Sequence, residues 1–211
     1  MFNLPSFYDI LIITPAVVVG LTVHEFAHGW VADKLGDPTP RYAGRLTLNP
    51  VAHIDPIGLL LLYIAHFGWA KPVPINPYYF RNRRQGLILV SLAGPLANVL
   101  AAFTAVLLLG LWGFGSRIAI DILQTMIWIN IVLAVFNLIP VPPLDGSKVL
   151  AGLMPGHQEW LVRFEQYGVI LLLLLVFSGA IGSLFNIVII PLANLLIGLA
   201  LSISNIISPV S

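Results

Sequence analysis

Three ionisable side chains fall within five residues of one apolar run, Val23-His24-Glu25-Phe26-Ala27-His28-Gly29. In a helix, His24 and His28 sit one turn apart on a single face, so both imidazoles can reach the same ion. Glu25 lies about 100° round from His24 but only about 60° from His28, given 3.6 residues per turn. Its carboxylate is then beside the ion without having to bind it. Two neutral nitrogens on Zn²⁺ and an adjacent carboxylate that takes a proton from water are the requirements of metal-assisted hydrolysis. In a chain of this composition the pattern arises by chance with a probability of about 0.002. The plainer reading is a polar patch at a helix end, hydrogen-bonded to neighbouring helices. Against it stands the cost of ionisable groups inside a spanning helix, at least about 2.5–3.5 kcal/mol each. One zinc ion per chain is the expected cofactor.

Composition says what kind of element carries these groups. The 211 residues are 58% hydrophobic and 9% charged, with ten Lys+Arg against nine Asp+Glu, and the mean hydropathy is +0.95. A soluble domain carries roughly 25% charged residues, and a disordered chain needs low hydrophobicity and high charge. Both are excluded, and an all-α polytopic membrane protein remains. The net charge of +1 points to no nucleic-acid partner. A spanning helix needs about 20 mostly apolar residues. Residues 7–31, 87–112 and 118–141 qualify, and the uncharged tail 166–211 is long enough for two more, with a turn at Ser178–Ser183 and a kink at Pro191. That gives about five transmembrane helices. Residues 57–67 are apolar but too short to cross, which predicts a re-entrant helix and extended segment near 54–77.

Positive residues favour the cytoplasmic side. If 57–67 dips in and returns, loops 32–53, 69–86 and 142–165 share one side and hold nine of the ten positive residues. If it crosses, the split is four against six. The re-entrant arrangement follows, with the N-terminus outside and the site toward the cytoplasm of a multi-pass cell-membrane protein. No positive residue precedes the first apolar run and no small-residue cleavage site follows it, so that run is expected to stay as a span. No internal repeat is visible. The chain is expected to be a single membrane-embedded domain over 1–211, with a core at 7–150 and C-terminal spans at about 166–207.

A catalytic zinc usually has three protein ligands and an open position. With no Cys, the third must be His53, His66, His157 or one of Asp9, Asp33, Asp37, Asp55, Asp121, Asp145, Glu159 and Glu165. It should sit at the depth of His24 and His28. Asp145 does, in Asn137-Leu138-Ile139-Pro140-Val141-Pro142-Pro143-Leu144-Asp145-Gly146, where three prolines break the helix and Gly146 permits a turn. Broken backbone at membrane depth is tolerated where it lines a polar site. The alternative is that Asp145 caps the next helix.

These motifs together resemble the site-2 protease family of intramembrane zinc metalloproteases (peptidase M50). The resemblance rests on His24-Glu25-Phe26-Ala27-His28, on Ser91-Leu92-Ala93-Gly94-Pro95-Leu96-Ala97-Asn98 and on Asn137 to Gly146, and covers residues 7–150. Asn49–Gly58 and Gly68–Pro77 are similar to the family as well. It is the compact form without a PDZ domain that the chain resembles. The resemblance implies His24, His28 and Asp145 as zinc ligands and Glu25 as general base.

The expected function is intramembrane zinc metalloproteolysis, the hydrolysis of peptide bonds in or near transmembrane segments of membrane-protein substrates, as in regulated intramembrane proteolysis. A substrate helix must be partly unwound before attack, and a strand edge could hold it. Trp69–Pro77, kept extended by Pro72, Pro74 and Pro77, is a candidate guide, with Lys71, Pro72, Val73 and Pro74 as substrate-binding residues; the alternative is a plain connecting loop. Asn98 and Asn137 are amides in apolar spans. Either could stabilise an oxyanion as a catalytic residue, orient a ligand, or join helices. Arg81, Arg83 and Arg84 read as headgroup anchors, and Gly94-Pro95 as close helix packing. The partners are a substrate with a transmembrane helix and the lipid bilayer. The alternative function is a membrane zinc transporter or metal-binding protein, which would need polar sites along a path through the membrane.

Overall fold

Long uncharged runs with no water to bond their backbone must close their hydrogen bonds within the segment, and the chain does so with helices. The computed structural model describes residues 5–65, 68–112, 116–154 and 166–207. In order they form α1 (Phe7–Lys34), α2 (Thr39–Tyr42), α3 (Pro56–Ala65), α4 (Arg83–Trp112), α5 (Arg117–Asn137), α6 (Asp145–Leu153), α7 (Gly168–Phe177), α8 (Ala180–Leu184) and α9 (Ile190–Ile207). A π-helical turn, Phe185–Ile189, joins α8 to α9. The fold is an all-α polytopic membrane protein. Among the described residues four helical stretches are long and apolar enough to span: Phe7–Lys34, Arg83–Leu111, Arg117–Asn137 and Ala180–Asn205. In the region of the predicted fifth span lies α7, whose ten residues are too short to qualify as a span. The break after it falls at Gly179, whose φ of +77° is left-handed and suits glycine. Helix resumes at Ala180, so the turn is tighter than the predicted Ser178–Ser183.

Helix α1 begins at a capping box, with Ser6 Oγ accepting from Asp9 N at 3.1 Å and Asp9 Oδ2 accepting from Ser6 N at 2.8 Å. Near that end Tyr8 donates to Asp121 at 2.5 Å, and Arg117 donates to the same carboxylate at 3.1 Å. The first turns of α1 and α5 therefore lie together. This is the end away from the other positive residues, so Asp121 is remote from His24 and His28.

The ten residues of α3 rise only about 15 Å, half of the roughly 30 Å hydrocarbon layer. The chain then returns to its starting point. Ile54 bridges Ala70 in antiparallel fashion, and Lys71 N donates to His53 O at 2.8 Å. Gly58 and Gly68 permit the return, since a Cβ on Gly58 would fall 2.2 Å from Trp69 O and one on Gly68 2.3 Å from Gly58 O. This is the predicted re-entrant geometry.

Helices in lipid gain little from apolar burial against one another and rely on close packing and interhelical hydrogen bonds. The core follows that rule. Ala105, Val106 and Leu109 of α4 pack on Ile127 of α5 and Ala200 of α9, and Ala102, Ile131 and Ile189 form a second cluster. Helices α1, α4 and α5 pack on one another, and α6 packs on α4, which places Asp145 beside α1.

Candidate metal centre

His24 and His28 are buried on α1, on the face toward α4. Helix α4 fixes both rings from behind. His24 Nδ1–H donates to Asn98 Oδ1 at 2.7 Å, and His28 Nδ1–H donates to the Val90 carbonyl at 2.7 Å. The donor is settled by the partners, because Val90 O can only accept and both hydrogens on Asn98 Nδ2 are spent. Those go to Gly20 O and to Asn130 Oδ1, each at 2.9 Å. With Nδ1 protonated, a neutral imidazole presents a bare Nε2.

The two Nε2 atoms lie 3.0 Å apart, and Asp145 Oδ2 is 3.2 Å from His24 Nε2 and 3.1 Å from His28 Nε2. Three electron-pair donors thus converge, and a cation held between them would offset their repulsion. The triangle also has the right size. Ligands about 2.0 Å from a tetrahedral zinc are roughly 3.3 Å from one another. Among the described residues, this is the group of three His, Asp or Glu side chains that could hold a metal.

Asp145 arrives there by a different route from the histidines. Helix α5 ends at Asn137, and Pro140, Pro142 and Pro143 prevent its continuation. The next helix takes Leu144 as its N-cap without a side-chain bond, and Asp145 is its first helical residue. The carboxylate is therefore free of capping duty and reaches His24 and His28, while the helix dipole favours its charge. Gly146 is required by space, as a Cβ there would lie 2.2 Å from Leu138 O and 2.5 Å from Ile139 O. Lys148, one turn on, sits 3.8 Å from Asp145 Oδ1.

Beside the triad is a cavity of about 470 Å³, walled by Glu25, Pro72, Val73, Ile75, Pro77, Arg83, Leu87, Ser91, Asn137, Pro143 and Lys148 among others. Glu25 is half-buried, and its Oε2 accepts a hydrogen bond from Val73 N at 2.8 Å. Of the four residues expected on the guide, Pro72 and Val73 belong to the wall while Lys71 and Pro74 do not.

The two asparagines divide. Asn137 lines the cavity and donates to Leu133 O at 2.9 Å. Asn98 is wholly buried with both amide hydrogens committed, so it faces the back of His24 and not the cavity. His53 is also wholly buried, and its Nε2–H donates to Thr47 O at 2.8 Å, far from ligand duty. His66, His157, Glu159 and Glu165 lie outside the described residues. Arg83 lies over the Tyr78 ring at 4.6 Å and also touches the cavity, so it does more than face headgroups.

Sequence reasoning missed three contributors. Gly94, read as packing, is where α4 meets the imidazoles, for a Cβ there would fall 2.4 Å from His28 Nε2 and 2.6 Å from His24 Cε1. Asn130 supports Asn98 across α4 and α5; a third amide in an apolar span was its available signal. Lys148 was counted only as a loop charge.

Peptidase family M50 matches residues 114–181 of the chain. "Putative zinc metalloprotease YwhC" of Bacillus subtilis is 42% identical over 187 residues, covering 84% of this chain and 84% of that protein. "Putative zinc metalloprotease Rip2" is 32% identical in Mycolicibacterium smegmatis and 31% in Mycobacterium tuberculosis, in each case over 80% of this chain and 67% of the relative. No solved structure matches the chain at a significant level.

Proposed function

The chain belongs to peptidase family M50 and is a zinc metalloprotease, and we propose that it hydrolyses peptide bonds in or near transmembrane segments of membrane-protein substrates. The observation that carries this reading is the placement of the donor triangle. His24 and His28, on a helix long and apolar enough to span a membrane, converge with Asp145 of the short helix α6 at 3.0–3.2 Å, and the cluster opens onto a cavity that Glu25 also lines.

In this reading His24 Nε2, His28 Nε2 and Asp145 Oδ2 hold the zinc, which supplies Lewis acidity and lowers the pKa of water. Glu25 takes the proton from the attacking water and passes it to the leaving amine. Asn98 and the Val90 carbonyl hold the imidazoles in the tautomer that leaves Nε2 bare, a positioning role. Asn137, at the cavity wall, is placed to donate to the developing oxyanion. The substrate lies unwound along Pro72–Pro77, which forms one side of the cavity.

Eight of the nine positive residues assigned to one side are described, and Arg45, Arg83 and Lys148 stand at or near the cavity. By the positive-inside rule that side is cytoplasmic, and the membrane is the cell membrane. A transporter needs polar sites spread along a path, whereas here the ligating groups gather at one point.

The test is a purified-protein assay on a reporter with a single transmembrane helix, run with metal analysis. Glu25→Gln keeps zinc near one per chain and abolishes cleavage. A Glu25→Gln protein that still cuts the reporter removes the general-base assignment.

A further inference from the structure

Among the described residues two buried charges lie outside the proposed metal triad. Asp37 is wholly buried and Arg45 is 5% exposed. Removing charge from water costs several kcal/mol unless hydrogen bonds compensate, yet these two do not pair with each other, and neither has an ion-pair partner among the described residues. Each bonds the backbone of one short stretch, although the buried Arg45 Nε has no hydrogen-bond partner. Arg45 Nη2 donates to Lys71 O. Asp37 Oδ1 accepts from Thr39 N at 2.9 Å, and its Oδ2 accepts from Asn76 N at 2.6 Å. Burial lowers the Arg45 pKa from its usual value and the charge of Glu25 raises it, so the guanidinium also lies within electrostatic reach of that carboxylate.

The stretch between these anchors is Lys71-Pro72-Val73-Pro74-Ile75-Asn76. Each proline biases the residue before it toward extended backbone, which applies to Lys71, Val73 and, before Pro77, Asn76. The prolines also leave N–H groups only at Lys71, Val73, Ile75 and Asn76. Three are committed: Lys71 to His53 O, Asn76 to Asp37, and Val73 to Glu25. The middle one meets the active carboxylate from a strand pinned on either side.

We propose that the Val73 N–H is a positioning donor for the Glu25 carboxylate, and that Arg45 and Asp37 are positioning residues that hold the strand carrying it. Oε2 is fixed by Val73, which leaves Oε1 to face the cavity and take the proton. The strand that forms the substrate wall thereby aims the base as well. This inference rests on Glu25 as the general base.

Two experiments test it on the full-length protein. In metal-free protein, hydrogen exchange of the 71–76 segment reads four amides. Glu25→Ala releases one protected amide at Val73, and Asp37→Ala releases the one at Asn76. An exchange pattern that does not change at Val73 in Glu25→Ala overturns the proposal. In kinetics on the transmembrane reporter, Val73→Pro deletes the N–H while keeping extended backbone, and Val73→Ala keeps the N–H and serves as its reference. Hydrogen bonds to charged groups and small misplacements of a reacting group predict a fall in kcat of about 10- to 100-fold relative to Val73→Ala, with KM and bound zinc unchanged. A rise in KM at constant kcat shows that the N–H serves the substrate instead and overturns the proposal. Arg45→Lys, which keeps a donor for Lys71 O, loses less kcat than Arg45→Met; equal losses remove Arg45 from the role. If Glu25→Gln is inactive and Val73→Pro matches Val73→Ala, this inference fails while the general-base reading stands.

Discussion

The His24, His28 and Asp145 cluster and the Glu25 carboxylate, proposed as metal site and general base, are held by two different kinds of structure. His24 and His28 are oriented from inside the helix bundle, by Asn98 Oδ1 and Val90 O of α4, with Asn130 of α5 behind Asn98. Glu25, one residue from His24, is oriented from outside the bundle, by a backbone N–H of the proline-rich strand. The first set rests on packed helices, whose backbone bonds are satisfied within themselves. The second rests on a strand pinned by His53, Arg45 and Asp37. Metal affinity should therefore follow helix packing, and turnover should follow the strand. Variants that separate zinc content from rate are the means of breaking that division.

The largest effect is expected from Asp145→Ala, which removes one of the three proposed ligands. Structural zinc sites bind with about 10–16 kcal/mol spread over their ligands, so zinc affinity should fall by at least about 100-fold, and cleavage with it. Metal analysis after dialysis against a weak chelator measures this; retained zinc moves the third ligand elsewhere. Asn98→Ala comes next. It leaves His24 Nδ1–H without its acceptor, and loss of such a partner costs about 10- to 100-fold in metal affinity. The same metal analysis reads it, and an unchanged affinity detaches α4 from the metal centre. Gly94→Ala pushes a methyl against both imidazoles. Overpacking of this kind costs about 1–3 kcal/mol, so the thermal midpoint and zinc affinity should drop together. Thermal unfolding with and without added zinc checks it, and a midpoint at the wild-type value contradicts the tight approach. The smallest effect is on the other side of the comparison. Asp37→Ala should lower kcat by about tenfold through the loosened strand while zinc content stays at the wild-type level. Zinc loss in Asp37→Ala would merge the two regions into one unit.

Much of the site was legible in one dimension because its logic is local. The spacing of His24 and His28 becomes a shared face through helical periodicity alone, and the absence of Cys narrows the remaining ligand to His or a carboxylate. Asp145 followed because three prolines must break a span at the depth where the histidines lie. The re-entrant segment was legible because length and charge are properties of the chain, and ten residues of helix cannot cross a bilayer. The resemblance to the site-2 protease family agreed with each of these readings.

Other features depended on contacts between segments far apart in sequence. Gly94 looks like any small residue in a packed span until α4 is laid against α1, when the missing Cβ turns out to be the space the imidazoles fill. Asn98 could be an oxyanion donor, a ligand orienter or a helix-joining amide until its two hydrogens are traced to Gly20 and Asn130 and its oxygen to His24. Arg45 enters the sequence reading only as a loop charge and Asp37 only as one of several candidate third ligands, since the sequence gives no sign that the 71–76 backbone will fold over them. Types and periodicity determined which groups could bind a cation and which runs could span. Tertiary structure decided which way each group points, because the direction of a buried polar side chain is set by the partners that satisfy it, and the long-range partners here lie 26 to 78 residues away.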